Sequence, residues 1–123
     1  MSETCVVSVS MKELRRLYGN KYLNQSEWAK DPNNVYIGRA GSVFINGSRW
    51  PSRASPFHNP FTVAKYGRDG ALDLYREYIL DKLQDPQMMT AFRELKGKTL
   101  GCWCKPDRCH GDILVELLKK III

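Results

Sequence analysis

Short apolar runs and helix-spaced apolar stripes follow one another along this chain, and their order predicts its architecture. Residues Cys5 to Val9 are apolar and β-branched, the pattern of a short strand. Ser10 and Glu13 stand at capping-box spacing ahead of Leu14, Leu17 and Tyr18. They predict a helix to about Tyr18, with its stop at Gly19. Residues 20–34 are polar and end in Asp-Pro-Asn-Asn, which reads as a long loop with at most one helical turn around Trp28. Val35 to Arg39 reads as a strand that breaks at Gly38, a glycine that lets a ligand approach the backbone. Ser42 to Ile45 and Ser48 to Trp50 flank Asn46-Gly47, the strongest short hairpin signal.

Pro51, Pro56 and Pro60 keep residues 51–61 out of regular structure. Asp69 is placed to cap a helix from Gly70 to Leu83, with Leu72, Tyr75, Tyr78, Ile79 and Leu83 as its apolar stripe. Asp85-Pro86 starts another, running to about Lys96 and stopping at Gly97. Lys98 to Cys104 has the pattern of a buried strand, 107–112 of a sharp connection, and Ile113 to Leu118 of a last helix. Helix-separated strands predict an α/β fold: a single compact domain with a small, mainly parallel, Rossmann-like sheet flanked by helices and an inserted β-hairpin. Residues 1–34 form an N-terminal strand, helix and loop extension to residues 35–123, within one structural domain.

The 123 residues carry a formal charge of +6. No apolar run approaches the roughly 20 residues of a membrane helix, and the first residues lack a signal-peptide pattern. Composition therefore predicts a cytoplasmic protein without membrane contact. Between Asp31 and Asp69 there is no acidic residue, while Arg39, Arg49, Arg53, Lys65 and Arg68 fall in that stretch. A segment of one sign favours an anionic small molecule or nucleic acid as partner, or is a solvated basic face. The apolar Ile121-Ile122-Ile123 end must dock on the fold or mark an oligomer contact.

Candidate chemistry concentrates in Cys102-Trp103-Cys104 and Cys109-His110. On a strand, Cys102 and Cys104 share a face and Trp103 takes the other. Cys109 and His110 sit where a strand hands over to a helix, the usual ligand edge of an open α/β sheet. Helix N–H groups there, with Lys105 or Arg108, would lower a thiol pKa. Three readings stand side by side. Cys102, Cys104, Cys109 and His110 are soft ligands for zinc, with His58 as a substitute fourth, although their spacing is no common finger and adjacent Cys109 and His110 fit one ion awkwardly. Alternatively Cys109, His110 and Asp112 form a catalytic group around a reactive thiol. Lastly, Cys102 and Cys104 are core residues, as Cys5 is. A second group, Arg39, Arg53, His58 and Asn59, offers phosphate and hydroxyl recognition, and Trp50, Phe57 and Phe61 offer stacking surfaces. The competing reading of this group is a rigid proline loop pinned by its aromatics.

The ordered set Tyr-x-Gly-Arg, Asn-Pro-Phe, Gly-Lys-x-Leu-Gly-Cys-Trp-Cys and Cys-His-Gly-Asp resembles a domain-of-unknown-function family of phages, bacteria and large DNA viruses, over residues 35–118. In that resemblance Arg39, Asn59, Cys102, Cys104, Cys109, His110 and Gly111 occupy motif positions. It implies a compact α/β domain in a viral or phage setting, hence host cytoplasm or virion, and no particular reaction. The leading expectation is a nucleotide- or nucleic-acid-related enzyme, with nucleoside or N-glycosidic hydrolysis or transfer as its first candidate chemistry. It places Arg39 and Asn59 across one cleft from Cys109-His110, with phosphate held by arginine and the helix N-terminus. The alternative is a non-enzymatic viral structural or accessory protein whose Cys/His cluster is structural.

Overall fold

The computed structural model describes residues 3–105 and 107–121. Strand β1 (Cys5–Ser8) leads into helices α1 (Met11–Tyr18) and α2 (Gln25–Lys30), then strand β2 (Asn34–Tyr36). A hairpin of β3 (Val43–Ile45) and β4 (Ser48–Trp50) follows, then α3 (Val63–Lys82), α4 (Pro86–Arg93), β5 (Thr99–Cys102) and α5 (His110–Ile121). The main sheet has the order β1-β5-β2, and both pairings are parallel. Cys5 pairs with Thr99 and Ser8 with Cys102 on one edge of β5, while Asn34 pairs with Thr99 and Tyr36 with Gly101 on the other. This is a mixed helix and strand fold around a small parallel sheet, with an antiparallel pair beside it.

Local signals in the sequence act as expected at several ends. Ser10 Oγ accepts the Glu13 N–H at the start of α1, and Asp85 Oδ1 accepts the Gln87 N–H ahead of Pro86. Asn46 and Gly47 both take positive φ at the hairpin tip.

Five expectations are corrected. Helix α3 begins at Val63, capped by Thr62 and not by Asp69, and it breaks at Gly67 (φ 72°, ψ 166°) before continuing. The break lets one turn run before the apolar stripe begins, which the periodicity of the stripe alone does not reveal. Residues 25–30 form a full short helix because Asn24 accepts the Glu27 N–H and Trp28 is drawn wholly into the core. Cys5 is exposed rather than core, since β1 is an edge strand and this residue points outward. Strand β5 ends at Cys102, so Trp103 and Cys104 follow a bend and no longer alternate across a sheet. Leu17, expected on the buried face of α1, is 42% exposed. Of the apolar end, Ile121 is exposed, and residues 122 and 123 lie outside the described residues.

Two apolar clusters sandwich the sheet. Val9, Leu14 and Trp28 fill one side. Ile37, Leu72, Tyr75, Ile79, Phe92, Leu100 and the inner face of α5 fill the other. Gly101 in the central strand is demanded by the first cluster, because a Cβ there would lie 2.4 Å from the Trp28 ring and 2.5 Å from Val9 Cγ1. Gly111 does the same for α5, which settles against Val6 and Ile37 where a Cβ would meet both within 3 Å. Substituting Gly101→Ala is expected to overpack this layer and lower stability by about 1–3 kcal/mol. Urea unfolding of the variant beside the parent measures it, and an unchanged midpoint would contradict the packing described.

Candidate functional site

The carboxyl end of β5 and the start of α5 meet over a cavity of about 260 Å³. Cys102, Trp103, Cys104, Arg108, Cys109 and His110 line it from the β5–α5 side. Gly38, Arg39 and Ser42 line it from the end of β2, and Asn59, Phe61, Arg68 and Leu72 from the proline loop and α3. Arg39 and His110 therefore face one cleft. Among the described residues of its lining there are three arginines and no carboxylate.

Each wall is held by identifiable bonds. Trp103 Nε1 donates to the Tyr36 hydroxyl at 2.9 Å, and that hydroxyl donates to the Arg39 carbonyl at 2.8 Å. The tyrosine ring takes up the space beside Gly38, where a Cβ would lie 2.4 Å from its hydroxyl. Gly38 is thus filled from within instead of leaving room for a ligand at its backbone. Arg39 donates Nε and Nη2 to the Asn59 carbonyl at 3.0 and 2.8 Å. The Asn59 side chain is spent on the loop itself: Oδ1 accepts the Phe61 N–H, and Nδ2 donates to the Ala71 carbonyl. Tyr75 pins the same loop by donating to the Phe57 carbonyl at 2.7 Å. Arg68, set just after the Gly67 break, donates to the Arg108 carbonyl at 2.9 Å and faces Asp107.

The three cysteines of the cavity form the chemical core. Cys102 and Cys109 are each about 1% exposed, and their sulfurs are 3.0 Å apart. Cys104 is only half-buried. Its thiol pKa is held well below the ordinary range, first by the Cys102 thiol and then by the Cys109 thiol, with Arg68 adding to the effect. Contact with neighbouring thiols raises the other two: the largest influence on Cys102 is Cys104, and on Cys109 it is Cys102. The directions of these shifts favour negative charge on Cys104, the most accessible of the three. Cys109 also serves the helix, since its Sγ accepts the Gly111 N–H at 3.3 Å and its carbonyl accepts the Asp112 N–H at 3.0 Å.

His110 is the first residue of α5 and is 6% exposed. Its Nε2 lies 2.6 Å from the Ile37 carbonyl, which can only accept, so Nε2 carries the proton and Nδ1 the lone pair. Burial lowers its pKa below the ordinary 6.5. Asp112 stands outside the cavity lining. Its carboxylate accepts the Cys109 N–H at 3.0 Å and pairs with Lys105 at 2.6 Å, which is a capping arrangement. Arg53 is exposed and outside the lining, and His58 Nδ1 lies 2.8 Å from the Ser55 carbonyl, also outside it.

Thiolates bound to one tetrahedral zinc at about 2.3 Å sit about 3.8 Å from each other. Cys102 and Cys109 are closer than that, and His110 has committed Nε2 to Ile37. Among the described residues no group of three or more His, Cys, Asp or Glu side chains is arranged to hold a metal ion. Sequence reasoning passed over Arg68 as a site residue and gave Arg108 only as a charge beside the thiols. The signal was present in the acid-free basic stretch that ends at Arg68, but Gly67 had to turn the chain before that charge faced the thiols.

Residues 20–120 match the family described as Domain of unknown function (DUF4326). The chain belongs to that family. The match begins ahead of the 35–118 span that carried the resemblance, and so takes in α2 and Trp28. The chain is 35% identical over 97 residues to "Uncharacterized protein R718" of Acanthamoeba polyphaga mimivirus, covering 72% of this chain and 68% of that protein. It is 33% identical over 55 residues to the "Uncharacterized 12.4 kDa protein in nrdA-td intergenic region" of Enterobacteria phage T4, covering 44% of this chain and 51% of that protein. No solved structure matches the chain. Among the described residues no helix is long and apolar enough to cross a membrane.

The buried, neutral His110 sets a pH dependence. Its pKa is lower folded than unfolded, so as pH falls the unfolded chain takes up the proton first. Its contribution to stability is intact above about pH 6.5 and is lost as pH drops through the folded value. Urea midpoints are expected to fall between about pH 7.5 and 5 in the parent and to fall less in His110→Gln. Equal slopes would show that the imidazole is not neutral in the folded state.

Proposed function

We propose that this chain is a nucleotide- or nucleic-acid-related enzyme that binds an anionic group through arginines and acts through the Cys104 thiolate. The observation that carries the reading is the single cavity in which Cys102, Cys104 and Cys109 stand among Arg39, Arg68 and Arg108. A volume of about 260 Å³ lies just below the roughly 300–1,000 Å³ of pockets for drug-sized ligands, which suits a single nucleotide or something smaller. Phosphate is a natural match for guanidinium forks, and Phe61 and Trp103 supply flat apolar walls for a base. The first N–H groups of α5 are already taken by Cys109, so recognition of the anion falls to the arginines.

Covalent catalysis needs a thiolate, a proton acceptor and positive charge near the developing anion. Cys104 supplies the first and the arginines supply the last. His110, neutral with its lone pair on Nδ1, supplies the second. Cys104 attacks an electrophilic carbon of the substrate, the bond to the leaving group breaks, and that group takes up a proton from solvent. Water or a second substrate then gives a proton to His110 Nδ1 and displaces the sulfur, which leaves as the thiolate. N-glycosidic hydrolysis or transfer fits this scheme only with the sulfur as nucleophile, because the described lining offers no carboxylate pair of the usual glycosidase kind.

Titration of the protein with nucleoside 5′-monophosphates, followed by tryptophan fluorescence, tests the reading. Saturable binding is expected, weakened about tenfold or more by Arg39→Ala or Arg68→Ala. Bound nucleotide is also expected to slow iodoacetamide labelling of Cys104. Failure to saturate, together with steep, salt-dependent and sequence-blind DNA binding that ignores both substitutions, would favour the accessory-protein alternative.

A further inference from the structure

Nucleophilic catalysis uses one thiol, yet the cavity holds three. Cys102 and Cys109 have sulfurs 3.0 Å apart, well inside van der Waals separation and with no atom between them. All four cysteines of the chain are free, and Cys5 lies far off on an exposed edge strand. Cys104 is the half-buried member of the cluster and the one that a small oxidant entering the cavity meets first. Six residues of chain separate Cys102 from Cys109, joining the end of β5 to the start of α5.

We infer that Cys104 is a peroxide-oxidation site whose sulfenic acid resolves into a Cys102–Cys109 disulfide beneath the cavity. The oxidant is hydrogen peroxide or a small hydroperoxide. The Cys104 sulfur attacks one peroxide oxygen and the O–O bond breaks. Sulfur is oxidised to the sulfenic acid, and the other oxygen leaves as hydroxide and becomes water. The Cys102 sulfur then attacks the Cys104 sulfur, and the displaced hydroxide carries off the Cys102 proton as a second water. Cys109, already against Cys102, attacks the Cys102 sulfur of that mixed disulfide. The S–S bond to Cys104 breaks, Cys104 leaves as the thiolate it began as, and the Cys109 proton goes to the hydroxide released from the peroxide. In sum, two thiols and one peroxide give one disulfide and two waters. The product staples β5 to α5, and a dithiol reductant reverses it. The inference uses only the placement of the three sulfurs and stands whether or not the cavity binds nucleotides.

The test uses the full chain carrying Cys5→Ser, which removes the exposed thiol outside the site. The reduced protein is treated with equimolar hydrogen peroxide, quenched with N-ethylmaleimide and mapped by mass spectrometry. The expected result is a Cys102–Cys109 cross-linked peptide, alkylation retained at Cys104, and full recovery of thiols with dithiothreitol. Cys104→Ser is expected to slow closure by peroxide more than tenfold. Copper–phenanthroline, which oxidises adjacent thiols without a sulfenic acid on Cys104, should still close the bond in that variant and so show that its fold is intact. Three alkylatable thiols after peroxide, closure in Cys104→Ser as fast as in the parent, or cross-links between chains alone would overturn the inference. One zinc ion per chain in the protein as purified, shielding the thiols from peroxide, would overturn it in favour of a metal site.

Discussion

Strand β5 is hydrogen-bonded along both edges, to β1 and to β2, and most of the remaining structure follows from that insertion. Neither β1 nor β2 has a partner in the main sheet until residues 99–102 arrive between them. The sheet is thus completed only by contacts spanning nearly the whole chain, which places the loop-closure cost ahead of the gain. Insertion also forces two layers to close on one narrow strand. Trp28 presses on one face at Gly101, and α5 settles over the sheet at Gly111. The cavity lies where this strand ends, because Cys102 is the last residue with partners on the ladder.

The same placement explains the electrostatics. The chain leaving β5 bends at once, so Cys104 swings back towards Cys102 and Cys109 instead of continuing along a strand. The acid-free stretch between Asp31 and Asp69 approaches from the opposite side and brings Arg39 and Arg68 to the rim. The nearby carboxylates are already paired. Asp112 meets Lys105 and the Cys109 N–H, Asp107 faces Arg68, and Asp69 faces Arg108. A thiolate among guanidinium groups is a setting that stabilises negative charge on sulfur, although Arg68 and Arg108 are shared with Asp107 and Asp69. Arg76 pairs with Glu116 and so ties α3 to α5 along the outer side of this wall.

Much of the local structure was legible in the sequence, because capping and turn chemistry act over three or four residues. Asp85 ahead of Pro86 and Asn46-Gly47 act as their spacing implies, and Ser10 caps α1 as half of a capping box, the Glu13 carboxylate turning to Arg16 while the Ser10 N–H goes to Ser8. The main strand and helix order, and the placing of Cys102, Cys109 and His110 where β5 hands over to α5, followed from local patterns as well. Less so were features that depend on a distant partner. Asn59 reads as a ligand residue, yet its side chain closes its own loop. Gly38 reads as room for a ligand, yet Tyr36 folds into that room. Asp112 reads as catalytic, yet its bonds are those of a helix cap.

By itself, then, the sequence determined the starts of α1 and α4, the hairpin, the basic stretch and the clustering of thiols, since each rests on neighbours along the chain. Only the tertiary structure decided which thiol carries charge, which arginines face it and which polar residues are spent on scaffolding. Those outcomes depend on burial and on distant partners, as with His110 and the Ile37 carbonyl 73 residues before it, and no local pattern encodes them. Charge on sulfur is set by what surrounds it in space, and that surrounding forms only when β5 enters the sheet.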